Sequence, residues 1–439
     1  MCHYPLARLS LSLSLSLSLI ANGLNIAPAV AGFASRAQAA ETTPTPQAPH
    51  ETVRRDMFKL LDPALMKELL AAKNYPEAQS RIDQAGALPN PTPYETFVLN
   101  RTRAAFASRA GNSAMAVTAL QALIESGRLS PADRIDFILA LGINQYNTKD
   151  YPKAIITFTQ YQSESGDDAK VRPYLVRAYY LDNEFEQAKR ALLGGLQIDE
   201  KTGNQPALED LQLLANSSSK TKDMASYLSA LEKLVQYYPS DDYWTDLLSR
   251  LPDKPGYSNH LQLDVYRLKR MVLAAMTAAD YVDMGELALQ AGFPSEAKKV
   301  ADAGYAANVL GTGSNAPRHQ KLREQANRGA ARDGKNIAAD LALAEKAQDG
   351  NGLINVGYTY VAMDQFDKGI GLIQKGLGKG QLKHPEEAKM RLGESYAMAG
   401  RKEEALKAFE NVKGIDGTGD LAHYWIYYLN RPAAAPATR

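Results

Sequence analysis

The chain has 439 residues, with 50 Lys and Arg against 49 Asp and Glu, for a formal net charge of +1. That balance argues against a dedicated nucleic-acid binder, which carries a marked basic excess. A mean hydropathy of -0.34 excludes a polytopic membrane protein. An ordinary 45% of hydrophobic residues excludes wholesale disorder, and a lone cysteine, Cys2, excludes a disulfide framework or a thiolate zinc site. Length alone suggests about three domains, at ~150 residues each.

The N-terminal segment reads as an address. Arg8 precedes the serine-diluted apolar stretch Leu9 to Ile20, and the small residues Ala37 and Ala39 precede Ala40. A basic residue, a short apolar region and a small-residue cleavage site are what a secretory signal needs, so residues 1–39 are expected to be a cleavable signal and the product periplasmic. The apolar stretch is too short to span ~30 Å of hydrocarbon. No later run approaches a membrane span, so no transmembrane segment is expected after cleavage. Cleavage would remove Arg8, Arg36 and Cys2 but no acid, leaving 48 basic against 49 acidic residues. A cysteine-free chain suits an oxidising compartment. Residues 40–54 are Pro/Thr-rich and expected to be a linker; residues 431–439 are expected to be a disordered tail.

Between these ends the chain repeats. The clearest unit runs from Arg391, placing Leu392-Gly393, Tyr396, Gly400, Ala405 and Phe409 at the spacing L-G-x2-Y…A-x3-F. This pattern resembles the tetratricopeptide repeat, whose period is about 34 residues. Small residues at 393 and 405 let two antiparallel helices approach, Tyr396 and Phe409 fill the space between hairpins, and Gly400 ends the first helix in a left-handed conformation. The same phase is found with second-helix marks at residues 78, 116, 154, 188, 227, 297, 369 and 405. The two double gaps predict degenerate units near 262 and 333. The expected fold is all-α: an α-solenoid of about ten antiparallel hairpins over residues 55–430, clearest at 135–200 and 350–415. An aromatic closing helix over Asp420 to Leu429 should cover the last hairpin with Trp425, Tyr427 and Tyr428.

The ensemble also resembles secreted proteobacterial repeat proteins, some associated with TonB–ExbB–ExbD systems. The segments that carry this likeness are Tyr237-Tyr238-Pro239 with Tyr243-Trp244, LALQAGFPSEAKKV over 287–300, and HYWIYYL over 423–429. The resemblance implies a scaffold in envelope energy transduction with envelope proteins as partners. The alternative is a scaffold for polysaccharide export or outer-membrane assembly.

Catalytic signatures are missing. The six histidines are scattered without H-E-x-x-H or paired metal spacing, and no G-x-S-x-G elbow occurs, so no catalytic residue, metal site or cofactor is expected. Gly329 to Asn336 misses a phosphate-binding loop at its last position, where Asn336 replaces Ser or Thr. Asp416-Gly-Thr-Gly-Asp420 is too short for a calcium loop and is read as capping the final helix through Asp420. Solenoids of this kind bind extended segments on the surface lined by the first helix of each hairpin. Counting from the repeat phase, the groove candidates are Arg101, Arg109, Tyr146, Asn147, Arg177 and Tyr180. Tyr and Arg bury much area at low entropic cost. Nothing reproduces the Lys/Asn carboxylate clamp of some chaperone-binding repeats. A second candidate is a basic stripe of Arg318, Lys321, Arg328 and Arg332, which a helix would place on one side, facing an acidic partner or anionic headgroups.

Overall fold

A computed structural model of the chain describes residues 51–431. The expected signal and all but the first residue of the expected tail lie outside these described residues. The chain divides into two units, one reaching to Glu184 and one beginning at Phe185.

The first unit contains α1 (Arg55–Leu60), α2 (Pro63–Ala71), α3 (Tyr75–Gly86), α4 (Pro93–Ala110), α5 (Ser113–Glu125), α6 (Pro131–Asn147), α7 (Tyr151–Ser165) and α8 (Arg172–Leu181). Its helices start where polar caps meet proline. Asp62, Asn74, Thr92, Ser130 and Asp150 each accept a backbone N–H with their side chains, and each is followed by Pro in the first turn. Thr92 and Glu95 form a reciprocal capping box. Glu95 also takes a fork of hydrogen bonds from Arg54, and Glu51 pairs with Arg128, so residues 51–54 are tied to the helices.

The second unit contains α9 (Phe185–Thr202), α10 (Leu208–Lys220), α11 (Met224–Tyr237), α12 (Asp241–Arg250), α13 (Gln262–Val272), α14 (Ala278–Gln290) and α15 (Pro294–Ala306). It continues with α16 (Ala316–Lys346), α17 (Asn351–Ala362), α18 (Phe366–Lys379), α19 (Pro385–Met398), α20 (Lys402–Glu410) and α21 (Thr418–Asn430). Two 3-10 turns, Leu251–Asp253 and Asn259–Leu261, join α12 to α13. The architecture is an all-α helical-repeat solenoid, with neighbouring helices packed in sequence.

The repeat phase is written in the backbone. Five residues before each of the eight sequence marks stands a residue with positive φ: Lys73, Gly111, Lys149, Asn183, Lys222, Gly292, Asp364 and Gly400, between 56° and 79°. In every case the next amide donates to the carbonyl five residues earlier, as Asn74 N does to Leu69 O and Arg401 N to Tyr396 O. This is the left-handed stop that lets one helix end and an antiparallel one begin. The small residues do what their spacing predicts. A Cβ on Gly142 would lie 2.6 Å from the ring of Phe158, and one on Gly393 would lie 2.6 Å from the ring of Phe409.

The phase fails in the two places where sequence marks are missing. Near 262, α12 and α13 are joined by the 3-10 turns instead of a tight hairpin turn. Around 333 there is no hairpin: α16 is a single helix of 31 residues, and Gly329 to Asn336 lies inside it instead of forming a loop. The polar, alanine-rich composition of this stretch supports helix throughout, and no residue within it adopts the left-handed stop.

The final helix begins at Thr418, so Asp420 lies inside its first turn and is not the cap. Asp416 accepts the Thr418 amide instead, at 3.2 Å, while Asp420 pairs with Lys254 at 2.7 Å. Trp425 stacks on Phe409 of the last hairpin with centroids 5.4 Å apart, as expected. Tyr424 reaches further, donating to Glu232 of α11 at 3.0 Å, and the Ser258 amide donates to the Asp416 carbonyl at 2.9 Å. Burial and the nearby Glu232 push the Tyr427 phenol up to about 12. The last helix therefore packs against α11, α13 and α19 as well as α20, and the second unit closes on itself.

Candidate partner-binding surfaces

The residue eleven places before the second-helix mark of each hairpin reports whether the first-helix face is open. In the first unit these residues are Ala105 on α4, Ile143 on α6 and Arg177 on α8, all half-buried. In the second unit they are Asn216 on α10 and Glu286 on α14, both half-buried, and Tyr358 on α17 and Glu394 on α19, both only 1% exposed. The same register is partly open in the first unit and at α10 and α14, and filled at α17 and α19.

The groove candidates separate on this criterion. Arg101 is half-buried on α4, and Arg109 and Asn147 are exposed at the ends of α4 and α6. Arg177 and Tyr180 are half-buried three residues apart on one face of α8, and Arg177 donates to the Pro173 carbonyl at 3.1 Å. Burial raises the Tyr180 phenol above its ordinary range. Tyr146 does not line a groove. It is buried, with its ring 5.6 Å from that of Tyr151 and 5.8 Å from that of Tyr174, and it joins α6 to α7 and α8. Its position late in α6 suggested exposure; the aromatic neighbours that cover it come from residues 5 and 28 places further along the chain. On the same helices, Leu139 and Ile143 are half-buried against the core and Leu181 is exposed.

The basic stripe is helical, as predicted, but its members differ. Arg318 is held by a two-pronged ion pair with Glu286, with contacts of 3.0 and 2.8 Å. The neighbouring Arg323 pairs with Asp302 at 3.0 Å and lies 4.5 Å over the Tyr305 ring. Lys321, Arg328 and Arg332 are exposed.

What fills the face of the second unit is Arg267 of α13, which is 5% exposed. Its Nε and Nη2 donate to the two carboxylate oxygens of Glu296 at 2.9 and 2.7 Å, Nη1 donates to Asp264, and Glu394 lies 3.5 Å away. The guanidinium lies 4.3 Å over the Tyr358 ring and 5.5 Å from that of Phe293. Arg391 also lies over the Phe293 ring, at 5.4 Å, and donates to Asn355 at 3.1 Å. Desolvation opposes the charge on Arg267, but Glu296, Tyr358 and Glu394 outweigh it and hold the guanidinium well above its usual range.

Carboxylates outnumber guanidiniums in this cluster. Burial, reinforced by Asp264 and Glu296, pushes the Glu394 carboxyl well above the ordinary range. Burial raises Glu387 also, and Oε1 of each has no hydrogen-bond partner among the described residues. At the edge of the cluster His384 Nδ1 lies 3.4 Å from Glu387, and the rings of His260 and His384 are 5.2 Å apart. Among the described residues, no group of three His, Cys, Asp or Glu is placed to hold a metal ion. The sequence signals for this cluster were Phe293 and Glu296 within the GFPSEA segment and Glu394 beside Gly393. Nothing local marked Arg267 as their partner.

Eight left-handed stops in one phase, and glycines packed against the ring of the paired helix, are the marks of one repeat type. Residues 387–414, which cover α19 and α20, match the family model described as tetratricopeptide repeat. Over these residues the chain carries a tetratricopeptide repeat. Among solved structures, this repeat protein is similar to the structure of Naa15/Naa10 bound to HypK-THB, at 14% identity and a TM-score of 0.29, over 84% of this chain and 62% of that one. It is similar to yeast Tom70 at 12% identity and a TM-score of 0.22, over 85% of this chain and 95% of that one. A tetratricopeptide repeat protein from Parabacteroides merdae aligns at 11% identity and a TM-score of 0.20, over 76% of this chain and 99% of that one. The chain spans less than two thirds of the first of these proteins. No curated protein matches the sequence.

Proposed function

We propose that this helical-repeat protein is a non-enzymatic periplasmic scaffold that binds an envelope protein through the first-helix face of its first unit. The repeat architecture supports a protein–protein interaction role. The observation that carries the location is the half-open register at Ala105, Ile143 and Arg177, against the buried register at Tyr358 and Glu394. The first-helix face of this unit carries Arg101, Asn147, Arg177 and Tyr180 together with half-buried Leu139 and Ile143 and exposed Leu181, a mixture of aromatic, Arg and apolar groups suited to an extended partner segment. None of the described helices is long and apolar enough to cross a membrane. The signal-like N-terminus supports the periplasmic location, and the resemblance in the 237–244, 287–300 and 423–429 segments supports a place in TonB-type energy transduction.

The test is affinity capture from a membrane extract with the wild-type chain and with an Arg177→Glu/Tyr180→Glu double variant. Recovery of TonB or ExbD by the wild type, lost in the variant, is the expected result. Recovery of polysaccharide-export or outer-membrane assembly components would replace the energy-transduction assignment. Undiminished capture by a folded double variant would remove the groove assignment.

A further inference from the structure

The long helix α16 touches its neighbours closely at two points and stands away between them. At Gly329 a Cβ would lie 2.4 Å from Pro294 of α15, and at Gly352 of α17 a Cβ would lie 3.0 Å from Ala344. Only small residues at these points let the backbones approach so closely. The two points are 15 residues apart on α16, roughly 22 Å of helix at 1.5 Å per residue. Between them lies a cleft of about 520 Å³, lined on the α16 side by Asp333, Ile337, Asp340 and Ala344 and on the α17 side by Val356 and Thr359.

The α16 lining residues recur at intervals of four, three and four, so they form one stripe facing the cleft. The stripe is half acidic and half apolar. Oδ2 of Asp333 is buried without a hydrogen-bond partner among the described residues, and burial raises its carboxyl above the ordinary range. Asp340 is exposed, and Leu343 at the rim is 68% exposed. Asp349, at the far end, is occupied by Asn351. Lys379 also lies at that end and donates to the carbonyls of Ala344, Glu345 and Ala347 that end α16. Lys335 projects from the opposite side of α16, two residues from Asp333 and therefore about 200° around the helix.

We infer that this cleft is a second docking surface, which takes a partner segment presenting Arg or Lys side chains between apolar residues. A basic side chain entering the cleft would give Asp333 Oδ2 the hydrogen-bond partner it lacks among the described residues, with Asp340 as a second acceptor at the entrance. The apolar residues of the segment would cover Ile337, Val356 and Leu343. A buried carboxylate oxygen without a hydrogen bond costs stability in the free protein, and binding would recover that cost.

The test uses the full chain and a fluorescein-labelled helical peptide of alternating Leu, Ala and Arg, followed by anisotropy. A peptide with Glu at each Arg position is the control. The expected result is saturable binding of the Arg peptide only, weakened about ten-fold or more in Asp333→Asn/Asp340→Asn, the scale of one or two lost charge-assisted contacts. The Asp340→Asn single variant should show part of the loss. Thermal unfolding of Asp333→Asn should show a melting temperature equal to or above that of the wild type, which separates lost binding from misfolding. Equal affinity in the double variant overturns the inference, as does equal weakening by Glu403→Gln/Glu404→Gln on α20. Absence of binding by the wild type at millimolar peptide also overturns it.

Discussion

The first unit and helices α17 and α19 of the second apply one repeat register to opposite ends. In the first unit, Ala105, Ile143 and Arg177 stand eleven residues before their second-helix marks, and each is left half-buried. In the second, Tyr358 and Glu394 stand at that position and are buried beneath Arg267. The acids differ in the same sense. Glu95 of the first unit is held down to about 2 by the Arg54 fork and by the amides of Thr92 and Arg54. Glu394 of the second is raised by burial among other carboxylates. Both side chains are buried, at 2% and 1% exposure, so the Arg54 fork and the cap amides, and not accessibility, keep Glu95 ionised. A surface folded over an internal arginine gathers more carboxylate than it can neutralise.

The largest expected effect that tests this contrast comes from removing the internal arginine. Arg267→Met leaves Glu296 and Asp264 buried without their partner, and breaking a buried ion pair from one side costs about 3–5 kcal/mol. Urea unfolding followed by circular dichroism should show that loss in the second unit. A loss confined to surface-like values would mean that Arg267 does not close the unit.

Next in size are the paired glycines. Gly142→Ala and Gly393→Ala each put a Cβ 2.6 Å from a phenyl ring, and overpacking of this kind costs about 1–3 kcal/mol. Differential scanning calorimetry should place the first loss in the first unit and the second in the second. Loss in the same transition for both variants would merge the two units into one cooperative system.

The pH dependence follows, with opposite signs in the two units. The raised carboxyl of Glu394 contributes stability that is present below its unfolded value of 4.5 and is lost as pH rises through its higher folded value. Glu394→Gln should therefore match the wild type near pH 4 and exceed it at neutral and alkaline pH. The depressed carboxyl of Glu95 contributes stability present above 4.5 and lost as pH falls toward about 2. Glu95→Gln should be less stable than the wild type at pH 7 and equal to it near pH 2. Chemical denaturation across pH 2–9 measures both; like-signed profiles would erase the contrast.

The smallest effect on stability is expected from Arg177→Glu on the open face. Surface substitutions of this kind stay within about 0.5 kcal/mol, so any loss of partner capture in this variant would report binding and not folding.

Sequence alone determined the elements of this protein that depend on neighbours within one hairpin. The spacing of small and aromatic residues located the eight turns, because a left-handed stop and a close helix approach each demand particular residues a fixed distance apart. The paired packing of Gly393 under Phe409, and of Trp425 on Phe409, was legible for the same reason. The same reasoning could not see that Tyr146 is covered, since its cover includes Tyr174 on another helix. It extended the repeat through 333, where a stretch without glycine stops in the right phase continues as one helix and opens a cleft. Only the tertiary structure decided that Arg267 meets Glu296 and Glu394, which are 29 and 127 residues away along the chain. A repeat period specifies how each hairpin stacks on the next. Whether the resulting surface stays open depends on which distant side chain the curvature brings back into it, and no local spacing encodes that.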